Sequence, residues 1–98
     1  MEINKKTDGE VLTVALTGRL DTISSPQLEE SLKEELDGVR VLMFDLAGLS
    51  YISSAGLRVL LSMQKRMNRQ GEMIVKNVEP VIMEVFEMTG FLGVLKVR

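Results

Sequence analysis

The chain has 98 residues, of which 45% are hydrophobic and 27% charged, with a formal net charge of −2; this suits one small globular domain, residues 1–98, with a single core. It contains neither Cys nor His, which excludes disulfides, thiolate or imidazole zinc sites, and Ser-His-Asp or Cys-His nucleophile systems. The slight negative charge argues against nucleic-acid binding, which depends on neutralising phosphates. With no secretion signal and no run long enough for a bilayer, a complete cytoplasmic chain without direct membrane insertion is expected.

Met1 to Lys6, with Ile3 between polar residues, reads as an edge strand that ends at the Asp8-Gly9 turn. Val11 to Leu16 is a second strand, forming a hairpin with the first, and Gly18-Arg19-Leu20-Asp21 is the loop that leaves it. Ser24-Ser25-Pro26 supplies a cap and a first-turn proline for a helix to about Asp37, stopped by Gly38. Its apolar stripe is Leu28, Leu32 and Leu36, with Glu29, Glu30, Glu34 and Glu35 directed elsewhere.

Val39 to Leu46 is a continuous apolar run that suits a central parallel strand. A short loop follows, and a second helix runs from Ser53 or Ser54 to about Arg69, burying Gly56, Val59, Leu60, Met63 and Met67 before Gly71. Met73-Ile74-Val75 is a further strand. A third helix starts at Glu79-Pro80, with Ile82, Val85 and Phe86 on its core face and Gly90 closing it, and Val94 to Val97 is a last short strand. The pattern defines an α/β fold: a small mixed sheet, with an N-terminal hairpin plus parallel strands, and about three helices packed mainly on one face.

The chemistry concentrates where the second helix begins. The first turn of a helix has N–H groups without intrahelical partners, and its dipole favours negative charge. A serine there can cap the helix, or it can accept a phosphate that meets free donors and a favourable field. At 100° per residue, Ser54, Arg58, Leu61 and Lys65 share one strip of the helix. Leu61 is either an isolated surface leucine or an anchor for a partner. Between Gly48 and Gly71 there are four cations, Arg58, Lys65, Arg66 and Arg69, and no acid, whereas the first helix is acidic. Such opposed patches can steer a protein partner. Asp21 reads as a turn or cap residue, and Asp45 as a loop cap or as a second acid near the serines. Met83 and Met88 fall on the flanks of the third helix, where they could meet a partner.

The run Leu49-Ser50-Tyr51-Ile52-Ser53-Ser54-Ala55-Gly56-Leu57 after an apolar strand resembles the signature of STAS domains of the bacterial anti-sigma factor antagonist type. Gly18-Arg19-Leu20-Asp21 and Met88-Thr89-Gly90-Phe91 extend the resemblance over nearly the whole chain. It implies Ser54 as the regulatory phosphorylation site, with Ser53 as the alternative because it stands where many members have an aspartate. It also implies that Asp21 lies near that serine, on a partner surface to which Ser53, Ala55, Arg58, Leu61 and Lys65 contribute. Many members end in a further helix, so one flank of the sheet is expected to be less covered here.

The implied function is a non-enzymatic switch: the unphosphorylated form sequesters an anti-sigma factor with serine kinase activity, phosphorylation releases it, and a serine phosphatase resets the cycle. No cofactor is expected on this chain, ATP being held by the kinase. The alternative is a STAS scaffold that works without phosphorylation, or a cytoplasmic partner of a membrane transporter or sensory assembly. A serine hydrolase is disfavoured, since no imidazole is present and the Gly-x-Ser-x-Gly elbow is absent.

Overall fold

The structure, a computed structural model, describes residues 1–98. Strand β1 (Glu2–Asp8) pairs antiparallel with β2 (Val11–Leu20), and the two-residue connection Gly9–Glu10 closes the hairpin. Gly9 has φ 61°, a backbone conformation that glycine adopts without steric cost. From β2 the chain passes through α1 (Ser24–Leu32) to β3 (Val41–Ile52), through α2 (Ser54–Met67) to β4 (Glu72–Lys76), and through α3 (Pro80–Thr89) and a 3-10 turn (Phe91–Gly93) to β5 (Lys96–Val97). The sheet order is β1-β2-β3-β4-β5, with every pair from β2 onward parallel. This is the mixed α/β architecture that the sequence pattern defines.

The register explains the layering. Leu12, Leu42 and Met73 lie side by side across the three central strands, as do Val14, Phe44 and Val75, and all six are buried. Their alternates Val11, Thr13, Ala15, Val41, Met43 and Asp45 are only half-buried, although Ile74 is buried. One sheet face therefore carries the core and the other is partly open, because side chains alternate along a strand. Leu28 and Leu32 from α1, Leu57, Leu60 and Met67 from α2, and Ile82 and Phe86 from α3 complete one continuous cluster. At the end of α3, Gly90 takes φ 78°, and its N–H reaches the Glu87 carbonyl oxygen, as expected of a glycine stop.

Four elements differ from the sequence pattern, the simplest being the last strand, expected over Val94 to Val97 and formed only by Lys96 and Val97 after the 3-10 turn. Strand β2 does not end before Gly18 but continues to Leu20, and β3 continues past Leu46 to Ile52, so the expected loops are paired strand. The two extensions need each other: Gly18 pairs with Leu49, Arg19 with Tyr51 and Leu20 with Ile52, across register shifts that accommodate unequal residue numbers. Helix α1 ends at Leu32, and the chain reaches Gly38 through turns in which Glu35 and Leu36 both donate to the Leu32 carbonyl oxygen. Leu36 still reaches the core from these turns, which is why the four-residue leucine spacing persisted beyond the helix.

Phe44 has no exposed surface and sits in the central strand of this core. Phe44→Ala is expected to cost about 3–5 kcal/mol, a large part of the roughly 5–15 kcal/mol that stabilises a domain of this kind. A urea titration followed by circular dichroism measures it as a fall in the midpoint.

Candidate functional site

The site forms where the extended ends of β2 and β3 meet the start of α2. The Ser53 N–H donates to the Leu20 carbonyl oxygen at 2.9 Å, so the pairing of the two strands runs directly into the helix cap. Ser53 is the N-cap residue of α2, in extended conformation, with φ −96° and ψ 175°. Its carbonyl oxygen accepts from the Leu57 N–H at 2.9 Å, and its hydroxyl oxygen accepts from the Gly56 N–H at 3.3 Å. The Ser53 side chain is thereby committed to satisfying one of the orphan donors of the first turn.

Gly56 is required by close approach. A Cβ at this position would lie 2.8 Å from Ile52 Cγ1 and 2.9 Å from both Leu20 Cγ and the Leu20 carbonyl oxygen. The absence of a side chain allows α2 to sit directly on the end of the sheet, and it places Ser54 at the first helical position. Ser54 is exposed, and its hydroxyl has no hydrogen-bond partner within the chain. Two adjacent serines thus have different tasks, one capping and one open to solvent.

Asp21 shapes the neighbouring turn. Its Oδ1 accepts from the Ile23 N–H at 3.1 Å and the Ser24 N–H at 3.0 Å. The Ser24 hydroxyl accepts from the Asp21 N–H at 2.9 Å, and it lies 2.7 Å from the Arg19 carbonyl oxygen and 3.1 Å from Asp21 Oδ1. The cap that the sequence assigns to Ser24-Ser25 is therefore supplied from Asp21, while both serines are buried inside the helix start. The Ser24 N–H bond is the main reason that the Asp21 carboxyl is held below its ordinary value. Partial burial opposes it, and the Ser24 hydroxyl, the Ile23 N–H and Arg19 add to the lowering.

On α2, Arg58 and Lys65 are exposed, and neither belongs to any of the ion pairs. Arg66, by contrast, is tied to the turns that follow α1, with Nη1 2.8 Å from the Lys33 carbonyl oxygen and Nη2 2.8 Å from Asp37 Oδ1. Leu61 is half-buried. A groove of about 770 Å³ separates α1 from α2, with Glu29 and Glu30 on one wall and Ala55, Arg58 and Arg66 on the other. Ser53, Ser54, Ala55 and Arg58 are brought together in the first turn, and Asp21 follows the residue that receives the Ser53 N–H. Leu61 and Lys65 continue along the helix beyond them.

Asp45 is not part of this cluster. Its Oδ1 accepts from the Ala47 N–H at 3.1 Å and from Asn77 Nδ2 at 3.2 Å, closing a bend in β3 and holding the turn after β4. Of the two roles read from the sequence, it serves the local structural one.

Three residues at the site were missed. The Arg19 guanidinium lies 4.0 Å from the centroid of the Tyr51 ring, and its Nε is 3.8 Å from Asp21 Oδ2. Tyr51 is 40% exposed and Ile23, in the Asp21 turn, 88%. The Arg19–Tyr51 contact depends on the pairing of the strand extensions and had no local signal. Ile23 did have one, an apolar residue just before the Ser24-Ser25-Pro26 helix start.

The chain belongs to the STAS domain family, whose model matches residues 2–98. Two of the relatives that it matches carry the name of anti-sigma factor antagonist. BtrV of Bordetella bronchiseptica, assigned as an anti-sigma factor antagonist, is 42% identical over 94 residues, covering 94% of this chain and 80% of that protein. The anti-sigma-B factor antagonist of Staphylococcus aureus is 30% identical over 100 residues, covering 100% and 93%. The fold matches that of the anti-sigma factor antagonist SpoIIAA in its unphosphorylated form, with TM-score 0.86 and 19% identity over 99% of this chain and 88% of that one. It also matches the phosphorylated form of SpoIIAA from Bacillus, with TM-score 0.77, 19% identity and coverage of 99% and 91%.

Two outcomes follow from the geometry. Alanine is the better helix former by about 1 kcal/mol, but the overlap with Leu20 and Ile52 costs about 1–3 kcal/mol. Gly56→Ala is therefore expected to lower the denaturation midpoint, not raise it. For Asp21 the folded pKa is depressed, so its stabilising contribution is present above the unfolded value of about 3.9 and is lost as pH falls through the folded one. The gap in melting temperature between the native protein and Asp21→Ala is expected to be widest near neutral pH and to narrow in acid.

Proposed function

We propose that this protein is an anti-sigma factor antagonist switched by phosphorylation of Ser54. Unphosphorylated, it captures an anti-sigma factor with serine kinase activity and so frees a sigma factor. The kinase transfers the γ-phosphoryl group of its ATP to Ser54, and a serine phosphatase restores the hydroxyl. The observation that carries this reading is the division of labour at the start of α2: Ser53 Oγ is occupied by the Gly56 N–H, whereas the Ser54 hydroxyl is exposed and unengaged. The names of the relatives, and the existence of SpoIIAA in both forms, support it.

The chemistry assigns the catalytic work to the partner. A bond forms between Ser54 Oγ and the γ-phosphorus, the bond from that phosphorus to the bridging oxygen breaks, and ADP leaves. The serine proton needs a base, and this chain has no imidazole to provide one. Asp21 is a poor candidate, because its hydrogen bonds lower its affinity for a proton. The base, the metal and the nucleotide therefore belong to the kinase, and the cycle runs in the cytoplasm, where ATP and sigma factors reside.

The product suits its location. A phosphate brings about −1.5 to −2 charges to the end of α2 that carries the positive pole of the dipole, which is worth about 0.3–1 kcal/mol in its favour. The fold tolerates it, while a partner docked over Ser54 meets new charge and bulk. Arg58 and Lys65, free of internal partners, present the positive strip, Ala55 lets the partner approach closely, and Leu61 adds apolar surface. Asp21, with Ile23, forms the opposite margin.

Incubation with a cognate anti-sigma kinase and ATP is expected to add one phosphate, mapped to Ser54 by peptide mass. Ser54→Ala should accept none, whereas Ser53→Ala should still be modified while losing about 1 kcal/mol of stability with its cap. The phosphorylated protein should bind the kinase at least about tenfold more weakly, equivalent to 1.4 kcal/mol. Absence of phosphate from a kinase active on a control substrate would overturn the proposal.

A further inference from the structure

We infer that Arg58 is the internal counter-ion of phosphorylated Ser54, so that modification withdraws a guanidinium from the α1–α2 groove as well as adding negative charge. The inference rests on Ser54 being the modified residue.

Ser54 and Arg58 are four apart on α2, which puts their Cβ atoms about 5–6 Å from each other on the same face. The anion would be N-terminal to the cation, the more favourable orientation for such a pair. Arg58 is exposed and makes no ion pair, so no existing bond has to break before it turns toward a phosphate. Its planar fork of donors matches phosphate oxygens in a way that a lysine ammonium cannot.

Of the other cations nearby, Lys33 lines the α1 side of the groove, and the rest are committed or out of range. Arg66 is held by the Lys33 carbonyl and Asp37. Arg19 stacks on Tyr51 beside Asp21. Lys65 is two further turns along the helix from Arg58, beyond a direct contact with residue 54.

Arg58 also lines the groove opposite Glu29 and Glu30. With it turned toward Ser54, the groove keeps both acids and loses its uncommitted α2 cation. An acidic side chain of the partner that pairs with Arg58 in the unmodified form then loses that cation and meets Glu29 and Glu30, with Lys33 the one cation on their side of the groove. Release would result from this rearrangement together with direct repulsion by the phosphate.

The test uses full-length protein with phosphoserine encoded at position 54, so it does not depend on any kinase accepting the site. The second ionisation of the phosphate is followed by phosphorus NMR as pH is varied. Around the phosphate, Asp21 of the β2–α1 turn and Glu29 and Glu30 of α1 oppose that ionisation. Lys33 just after α1, Arg19 of β2, and Arg58, Lys65 and Arg66 of α2 favour it. Arg58→Ala is expected to raise the midpoint by about 0.3–0.7 of a pH unit, the size of effect produced by an exposed ion pair. Arg58→Lys should restore part of the shift, and Lys65→Ala should move it by less than about 0.1 unit, as expected for a screened, more distant charge. Coincident curves for the native sequence and Arg58→Ala, with unchanged circular dichroism, would overturn the inference. Failure of a kinase to modify Ser54 would instead count against the proposed function and leave this result intact.

Discussion

The organisation of the site depends on one junction, the hydrogen bond from the Ser53 N–H to the Leu20 carbonyl oxygen. It is the last link of the pairing between β2 and β3 and the first fixed point of α2. Because the strand ends are held together there, the helix begins immediately at the sheet and not after a flexible loop. Gly56 makes this possible by letting α2 rest on Leu20 and Ile52 without a Cβ between them.

From that junction the two sides of the site are built by different devices. On the α2 side, Ser53 spends its hydroxyl on the cap, which frees its neighbour to face solvent. On the α1 side, a carboxylate organises the turn, with Asp21 gathering the N–H groups of Ile23 and Ser24 while Arg19 shields it and lies on Tyr51. An acidic residue at this position thus has a structural task before any partner arrives. The same bonds that depress its pKa make it a weak base, in keeping with the proposed switch, in which the chemistry is left to the kinase.

The charge pattern has a similar division. Arg66 joins α2 to the turns after α1 through Lys33 and Asp37, and Lys5 joins β1 to Glu35 in the same turns at 2.7 Å, so some of the charged residues hold elements together. Arg58 and Lys65 remain outward and unpaired. Exposed ion pairs contribute little to stability, typically about 0–1 kcal/mol, so leaving these two cations free costs the fold almost nothing. They remain available for the partner or the phosphate of the proposed switch.

The sequence by itself determined the order and type of the elements, the leucine, valine and phenylalanine positions that became the core, and the presence of paired serines at a helix start. These depend on local periodicity and on the chemistry of chain ends and turns, which neighbours along the chain are enough to reveal. Only the tertiary structure decided that Gly18 to Leu20 and Leu49 to Ile52 are strand, since each segment finds its hydrogen-bond partners only in the other. For the same reason it alone brought Arg19 onto Tyr51, and it set Ser24 and Ser25 beneath the turn that Asp21 caps. The choice between Ser53 and Ser54 for the cap was likewise tertiary. The two hydroxyls are chemically alike, and they differ because Ser53 is anchored to Leu20, which fixes where the first helical turn begins.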